Sequence, residues 1–428
     1  MFQTLKNAWR VPDLRSKMIF TLVVLVIFRL GCMIPVPFID SEGLAAMFDT
    51  SGAYADSVLA YFNVLSGEAF SQATIFALNV SPYITSSIII QLLTVAIPAL
   101  EKLSKSGPEG QKKIQSITRY STIALSLIMA YGYYVTIRNN DLLFDTGFFA
   151  GLIIVLSFVA GSSIVMWLAE KLNGDGIGNG VSMILFANIV SSFPTMVARA
   201  ISMVKSGMGW WLLPIVVVIF IALIVFVVFM TNAERRLPVQ YAKKQVGRKM
   251  YGGMSTHLPI KLNMSGVMPI IFANSIIMLP ATLALIIPTE GRPGWATFVN
   301  FFSQSGYMFP ILTFILIIAF SYFYLMISFN PVEVANNLQK NGGTILGYRP
   351  GSSTAAYIKK VLNRITLIGA FFLGVVAVLP TILSWINPYL SYLSFGGSSL
   401  LIVVGVVLET VRDMESQITM RHYKGFLG

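Results

Sequence analysis

The side chains that most often carry catalysis or bind metals are scarce in this sequence, and none is placed for work inside a membrane. The chain of 428 residues has one cysteine, Cys32, and two histidines, His257 and His422. A single cysteine supports neither a disulfide framework nor a cysteine metal site. Both histidines fall outside the long apolar runs, and no Asp or Glu lies well inside one of them. The pattern predicts a protein without an enzymatic site, a metal or a cofactor.

One glycine-rich stretch, residues 171–180 (KLNGDGIGNG), is superficially similar to a nucleotide-binding loop. Its glycines alternate at 174, 176, 178 and 180, which does not match the spacing G-x-G-x-x-G, and no predicted strand precedes it. Glycine favours tight turns, and such a turn readily leads into a helix N-terminus. We expect a turn here rather than a phosphate site.

The composition is that of a membrane protein, since hydrophobic residues make up 55% of the chain and charged residues only 11%. Several apolar runs reach the roughly 20 residues that a helix needs to cross a bilayer. The sequence therefore predicts an all-α polytopic membrane protein. Ten spans are expected, at residues 18–36, 75–98, 118–137, 148–168, 178–198, 210–230, 266–288, 309–329, 365–386 and 398–411.

The charges orient these spans. With the N-terminus in the cytoplasm, 25 of the 30 Lys and Arg residues fall on the cytoplasmic side and four fall outside. The remaining one, Arg29, lies within the first span, in reach of the outer interface. Such an asymmetry follows the positive-inside rule, so both termini are expected in the cytoplasm.

The stretch 62–98 is predicted to be both the wall and the stopper of a passage. A loop of small residues leads directly into an apolar helix that contains Pro82 and several polar side chains. Polar or irregular backbone at membrane depth is tolerated where it meets protein or water, and an anchor facing lipid has no use for it. The polar side chains are Asn79, Ser81, Thr85, Ser86, Ser87 and Gln91.

Spans two and seven are unusual in the same way, because both contain prolines among polar residues. Span two has Pro82 and Pro98, and span seven has Pro269, Pro280 and Pro288. Matching interrupted helices in two halves of a chain indicate inverted repeats with a pathway at their junction. We expect two five-helix halves, residues 1–207 and 208–428, arranged as a clamshell around a central pore.

Two predicted cytoplasmic loops, 231–263 and 330–364, are basic and longer than ordinary connections. The first contains an alternating piece, PVQYAKKQV, that favours a β-hairpin. The second contains GYRPG, a turn sequence that would present Arg349 at its tip. Fixing topology would explain the positive sign of these loops but not their length, so a docking role is predicted.

Two pairs of apolar residues repeat at a spacing of four, Val80 with Ile84 and Leu185 with Ile189. This spacing places each pair on one face of a helix. On spacing alone, ordinary helix packing is the better interpretation. The alternative is a hydrophobic constriction that closes a pore by excluding water.

Five motifs in chain order give the sequence a family resemblance that covers essentially its whole length. They are PYITSSIIIQLL from residue 82, GIGNG from 176, STHLP from 255, GYRPG from 347 and FGGSSLLIV from 395. The chain thereby resembles the SecY family, the channel subunits of the bacterial protein translocon. The resemblance implies no cofactor, a multi-pass location in the bacterial plasma membrane, and a passive pore for unfolded secretory proteins and membrane segments.

The resemblance also assigns residues. It implies a pore ring of Val80, Ile84, Leu185, Ile189, Ile271 and Ile402, which replaces packing as the interpretation of the two spaced pairs. It implies a plug at about 61–70, with Asn63, Val64, Leu65, Ser66, Gly67, Glu68, Ala69 and Phe70. It implies a lateral gate between spans two and seven that involves Thr85, Ser87, Gln91, Asn274 and Leu279.

The implied partners dock on the basic loops. The docking residues would be Arg235, Arg236, Lys243, Lys244, Arg248 and Arg349. The partners would be SecE, SecG, the motor ATPase SecA, the translating ribosome with its rRNA, signal peptides and nascent chains, and the lipid bilayer. An ion-coupled solute transporter with inverted repeats is the competing class, and the lack of acids at membrane depth disfavours it.

Overall fold

The computed structural model of the chain describes residues 2–48, 63, 66–205, 212–241, 244–246, 249–251, 255–284, 287, 292–302, 306, 308–386 and 396–424. Within them the fold is mainly helical. The helices are α1 Phe2–Arg10, α2 Pro12–Gly31, α3 Ser41–Met47, α4 Ser81–Ala96, α5 Pro98–Lys105, α6 Pro108–Asn139, α7 Phe148–Asp175, α8 Gly180–Lys205, α9 Leu212–Asn232, α10 Met268–Ala284, α11 Pro293–Phe301, α12 Met308–Ser328, α13 Pro331–Lys340, α14 Ser352–Ile386 and α15 Gly396–Lys424.

Four helical segments of the described chain are long and apolar enough to cross a membrane alone: Pro108–Asn139, Phe148–Asp175, Met308–Lys340 and Ser352–Leu383. Helices α4 and α5 satisfy the same criterion together, although they meet at an angle of 103°. Shorter apolar helices lie at Gly180–Thr195, Val217–Asn232 and Met268–Pro280. The chain is thus a multi-pass helical membrane protein.

Helix α4 begins later than the sequence predicts. The predicted span starts at residue 75, but residues 66–80 form turns, and Asn79 has a left-handed φ of 52°. The helix starts at Ser81, so Pro82 lies in its first turn, where the missing N–H of proline costs no hydrogen bond. Pro82 therefore helps to start the helix instead of interrupting it.

Helices from both halves of the sequence share one buried apolar cluster. It includes Ile88 of α4, Ile184 of α8, Ile270 of α10, Leu373 of α14 and Leu401 of α15. Lipid is as apolar as these side chains, so close packing rather than water exclusion holds such helices together. This common core brings the N-terminal and C-terminal halves into contact.

The two basic loops are joined by a small antiparallel sheet with the strand order β4-β1-β5. Strand β1 (Glu234–Tyr241) pairs with β4 (Ser255–Lys261) and also with β5 (Gly343–Ile345) from the second loop. A shorter pair, β2 (Lys244–Val246) and β3 (Lys249–Tyr251), extends the hairpin. The predicted hairpin is confirmed, and its pairing with the second loop is a feature that the sequence did not predict.

Apolar side chains on one face of this sheet attach it to the helical body. Leu237 and Val239 of β1 and Ile345 of β5 are buried against Ile358 and Leu362 of α14. On the opposite face of β1, Arg236, Pro238 and Gln240 are exposed, and Arg235 near the start of the strand is exposed as well. Alternation with a period of two produces this division between core and solvent.

Candidate functional site

The six residues predicted for the pore ring come together in the structure. Val80, Ile84, Leu185, Ile271 and Ile402 are all buried in the central apolar cluster, and Ile189 packs against it half-buried. They are supplied by α8, α10, α15 and the start of α4. The result is a constriction of buried, branched aliphatic side chains where the two halves meet.

Beside the constriction lies a narrow cavity of about 80 Å³. Ile84, Leu185, Ile271 and Ile402 line it, together with Leu125 and its neighbours on α6. A volume of this size has room for only a few water molecules and is far too small for a polypeptide. The ring side chains are themselves buried against one another, so the constriction is closed in this conformation.

Three of the predicted gate residues line the same cavity: Thr85 from α4, and Asn274 and Leu279 from α10. The other two lie further along α4, where the Gln91 side-chain amide donates to the Ser87 hydroxyl at 3.3 Å. That bond lies within one helix and does not cross to α10. The structure thus brings Thr85, Asn274 and Leu279 together and places Ser87 and Gln91 separately.

The described part of the predicted plug is a compact turn. The Asn63 carbonyl accepts hydrogen bonds from the Glu68 N–H at 2.9 Å and the Ser66 hydroxyl at 2.9 Å. The Asn63 side-chain oxygen accepts from the Ser71 N–H at 2.8 Å. Gly67 and Glu68 have left-handed φ angles of 66° and 70°, which reverse the chain. Val64, Leu65 and residues 61–62 lie outside the described residues.

Two side chains from neighbouring helices bind this turn. The Tyr133 hydroxyl of α6 donates to the Phe70 carbonyl, and the two rings stack with centroids 4.2 Å apart. The Arg29 guanidinium of α2 donates from Nη1 to the Gly67 carbonyl at 3.1 Å. Arg29 thus binds protein backbone, a contact that the sequence did not predict.

The docking residues that can be located are on the surface. Arg235 and Arg236 are exposed on β1, and Arg236 pairs with Glu234 at 2.7 Å. An ion pair this exposed adds little stability. Lys244 lies in β2, but its side chain is not described, and Lys243 and Arg248 lie outside the described residues.

Arg349 lies on a turn that its neighbours hold in place. Gly347 and Gly351 adopt left-handed φ angles of 85° and 100° on either side of it. Tyr348 stacks on Tyr357 with ring centroids 4.0 Å apart. The Thr354 hydroxyl donates to the Arg349 carbonyl at 2.8 Å, while Arg349 itself is exposed. The predicted turn is confirmed and presents a fixed positive charge.

A second cavity, of about 600 Å³, lies beside the constriction and has a polar lining. It is bordered by Lys261 of β4, by Glu409, Arg412 and Asp413 of α15, and by the 176–179 turn. Partial burial, followed by the positive charge of Arg412, lowers the pKa of Lys261. Reasoning from the sequence missed this vestibule, because its residues come from distant parts of the chain.

The glycine-rich stretch is confirmed as a turn before a helix. The Asn179 side chain accepts from the N–H groups of Val181 and Ser182 at 3.1 and 3.3 Å, which caps α8. The Asn173 side chain accepts from the Gly180 N–H at 2.7 Å. These bonds satisfy the helix N-terminus with the protein's own side chains.

A buried apolar constriction between two sets of membrane helices, with a bound turn and a polar vestibule beside it, is the architecture of a channel. Comparison with known proteins identifies the kind of channel. The SecY family model matches residues 74–411. The SecY subunit of the protein translocase of Streptomyces coelicolor is 41% identical, with both chains fully covered.

Solved structures share the fold. A SecY channel, studied for the way its plug domain stabilises the closed state and maintains a membrane seal, has a TM-score of 0.69 at 18% identity. That likeness covers 94% of this chain and 92% of the other. Sec61 in a canine ribosome-channel complex has a TM-score of 0.66 at 16% identity, with 94% and 92% covered.

The chain therefore belongs to the SecY family. It is a protein translocase subunit that forms a channel for proteins and is not an enzyme.

Proposed function

We propose that this chain passes unfolded secretory proteins across the bacterial plasma membrane and releases hydrophobic segments sideways into lipid. The observation that carries the proposal is the convergence of Val80, Ile84, Leu185, Ile271 and Ile402 in one buried constriction. These residues come from both halves of the chain, so separating the halves would open the constriction.

The constriction acts as a deformable seal. An unfolded chain presents side chains of every size and charge, so the ring must yield to each of them without binding any. Branched aliphatic side chains interact weakly with what passes, and they exclude water and ions when they close. In the resting channel the turn at 63–70 closes the passage as a plug.

The lateral gate lies between α4 and α10, where Thr85, Asn274 and Leu279 border the small cavity. Hydrogen bonds between membrane helices contribute only about 0.6–2 kcal/mol each. A hydrophobic signal segment that replaces such contacts can therefore part the seam. Ser87 and Gln91, bonded to each other on α4, would flank the opened gate.

The proposed arrangement in the membrane has ten spans in two inverted halves, 1–207 and 208–428, with both termini in the cytoplasm. The distribution of Lys and Arg between the two sides supports this orientation. The described helices supply a membrane-length or shorter apolar segment at most of the predicted spans. The helix of span two starts at Ser81 and is therefore shorter than predicted. This agrees with a pore lining in which the plug region precedes the helix.

Energy for transport would come from partners. The exposed Arg349, Arg235 and Arg236, with Lys243, Lys244 and Arg248, are proposed to dock SecA or the translating ribosome, whose rRNA is anionic. The shared sheet supports this assignment, because it makes one surface of the two loops. SecE and SecG are proposed as membrane subunits around the channel, and signal peptides and nascent chains as its substrates.

The central test is site-specific crosslinking of a stalled secretory chain to photoreactive residues at Ile84, Ile189 and Ile271. We expect all three positions to crosslink to the stalled chain. Val218, exposed on the lipid-facing side of α9, is the matched control and should not crosslink. If the stalled chain crosslinks to Val218 as strongly as to the ring positions, the assigned pathway is wrong.

A further inference from the structure

Arg29 is a charged residue in the last turn of α2, within the first predicted span, and it is only half-buried. Charged residues within membrane spans are costly, and they are usually paired and functional. The guanidinium stays protonated in proteins, so it cannot escape this cost by losing its charge. Its observed partner is the Gly67 carbonyl, 3.1 Å from Nη1.

Gly67 fits closely among three groups from α2 and α8. A Cβ atom at this position would lie 2.8 Å from the Ser191 hydroxyl oxygen, 2.9 Å from Arg29 Nη1 and 3.1 Å from the Asn188 carbonyl oxygen. The left-handed φ of 66° also disfavours any side chain. Both the space and the backbone conformation therefore require glycine.

We propose that Arg29, with the Asn188 carbonyl and Ser191, forms a seat for the Gly67 turn and sets how often the plug leaves it at rest. This proposal rests on the proposed function, in which residues 63–70 are the plug. Arg29 is a positioning residue: it contacts the plug and not the translocating chain.

The chemistry of the seat suits a latch that must open. A hydrogen bond from a charged donor is stronger than one between neutral groups, and a low-dielectric site strengthens it further. Among the described residues one such bond reaches the Gly67 carbonyl, and water entering an open pore can replace it. The seat can thus hold the plug at rest and still yield when a substrate separates the halves.

The test measures exposure of the plug directly. Cys32 is replaced by serine, which retains an acceptor next to Arg29, and Ala69→Cys then becomes the only thiol. Ala69 is 1% exposed in the closed channel, so a membrane-impermeant maleimide should label this thiol slowly. The full channel is reconstituted into liposomes, and the labelling rate is measured without substrate and with a stalled secretory chain.

In this background Arg29→Met should raise the resting labelling rate about tenfold, the factor expected when a hydrogen bond to a charged group is lost. Arg29→Lys keeps a positively charged donor but changes its geometry. Its labelling rate should lie between that of Arg29→Met and that of the channel with Arg29 unchanged. The matched control is Arg119→Met, which breaks the ion pair with Glu170 between α6 and α7 and should leave the labelling rate unchanged.

Gly67→Ala tests the same seat while Arg29 stays in place, and it should also raise the resting rate. Consider the outcome in which a stalled chain speeds labelling while Arg29→Met and Gly67→Ala both show the same resting labelling rate as Arg119→Met. In that case the proposed seat is wrong, and the plug assignment stands. If the stalled chain does not speed labelling at all, the plug assignment fails and the seat fails with it.

Discussion

The backbone N–H of Gly178 donates a hydrogen bond to the Asp413 carboxylate at 3.2 Å. Gly178 belongs to the turn between α7 and α8 in the N-terminal half, and Asp413 belongs to α15, the last helix of the C-terminal half. Apolar contacts reinforce this link, because Ile177 and Met414 are buried together with Leu14 of α2. The side of the channel near the vestibule is therefore tied across the two halves.

Asp413→Ala should destabilise the closed channel by about 1.5–3 kcal/mol, the range for losing a hydrogen bond to a charged group. Thermal unfolding of the purified protein in detergent measures this change. Asp413→Asn retains an acceptor oxygen and should reduce the stability less than Asp413→Ala does. Asp175→Ala, whose exposed side chain lies 3.7 Å from Lys171, is the matched control and should change stability little.

Replacing both Ile84 and Ile189 with glycine should raise ion leakage through the resting channel. The replacement removes two branched side chains from the constriction, so water and ions can enter it. Conductance across a planar bilayer measures the effect. Val218→Gly, on the exposed face of α9, controls for glycine in a membrane helix. Conductance no higher than that of this control would rule out the assigned ring.

Arg349→Glu should weaken translocation driven by SecA or the ribosome while the fold remains intact. The side chain is exposed, and the turn is held by Tyr348, Tyr357 and Thr354 rather than by the arginine charge. Binding and translocation assays with each partner measure the loss. Lys360→Glu reverses the charge of an exposed side chain on α14, outside the turn, and should reduce translocation less. Equal effects would mean that only the net charge of the region matters.

Asn188→Leu should stabilise the closed channel by about 1–3 kcal/mol. Asn188 is fully buried, and within the described part of the chain neither atom of its side-chain amide has a hydrogen-bond partner. A buried polar group without a partner carries its desolvation cost, which leucine of similar size avoids. Thermal unfolding measures the gain. A loss of stability would show that the amide has a favourable interaction after all.

Much of the architecture was predictable, because each prediction depended on local sequence. Runs of apolar residues indicated membrane helices, and the alternation around Pro238 and Val239 indicated the β-hairpin that the structure contains. Glycines in the sequence 171–180 indicated a turn, and Asn179 does cap the helix that follows. Motifs at ordered positions identified the family.

The predictions that failed or were incomplete depended on contacts between distant residues. Hydropathy extended span two back to residue 75, because it cannot detect the left-handed backbone at Ala73 and Asn79 that delays the helix. It did not reveal the partner of Arg29, because nothing local to α2 indicates that Gly67 would lie next to it. The sequence patterns also treated the two basic loops as separate, whereas β1 of the first loop pairs with β5 of the second.

The sequence by itself thus determined that this is a helical membrane protein, since hydropathy, charge asymmetry and turn chemistry are properties of neighbouring residues, and its ordered motifs identified the family. Tertiary structure alone decided which side chains meet. The constriction, the seat around Gly67 and the Gly178–Asp413 link each join segments at least 38 residues apart. Such contacts arise only when the helices pack, because complementary surfaces and paired polar groups select one arrangement among many of similar hydropathy.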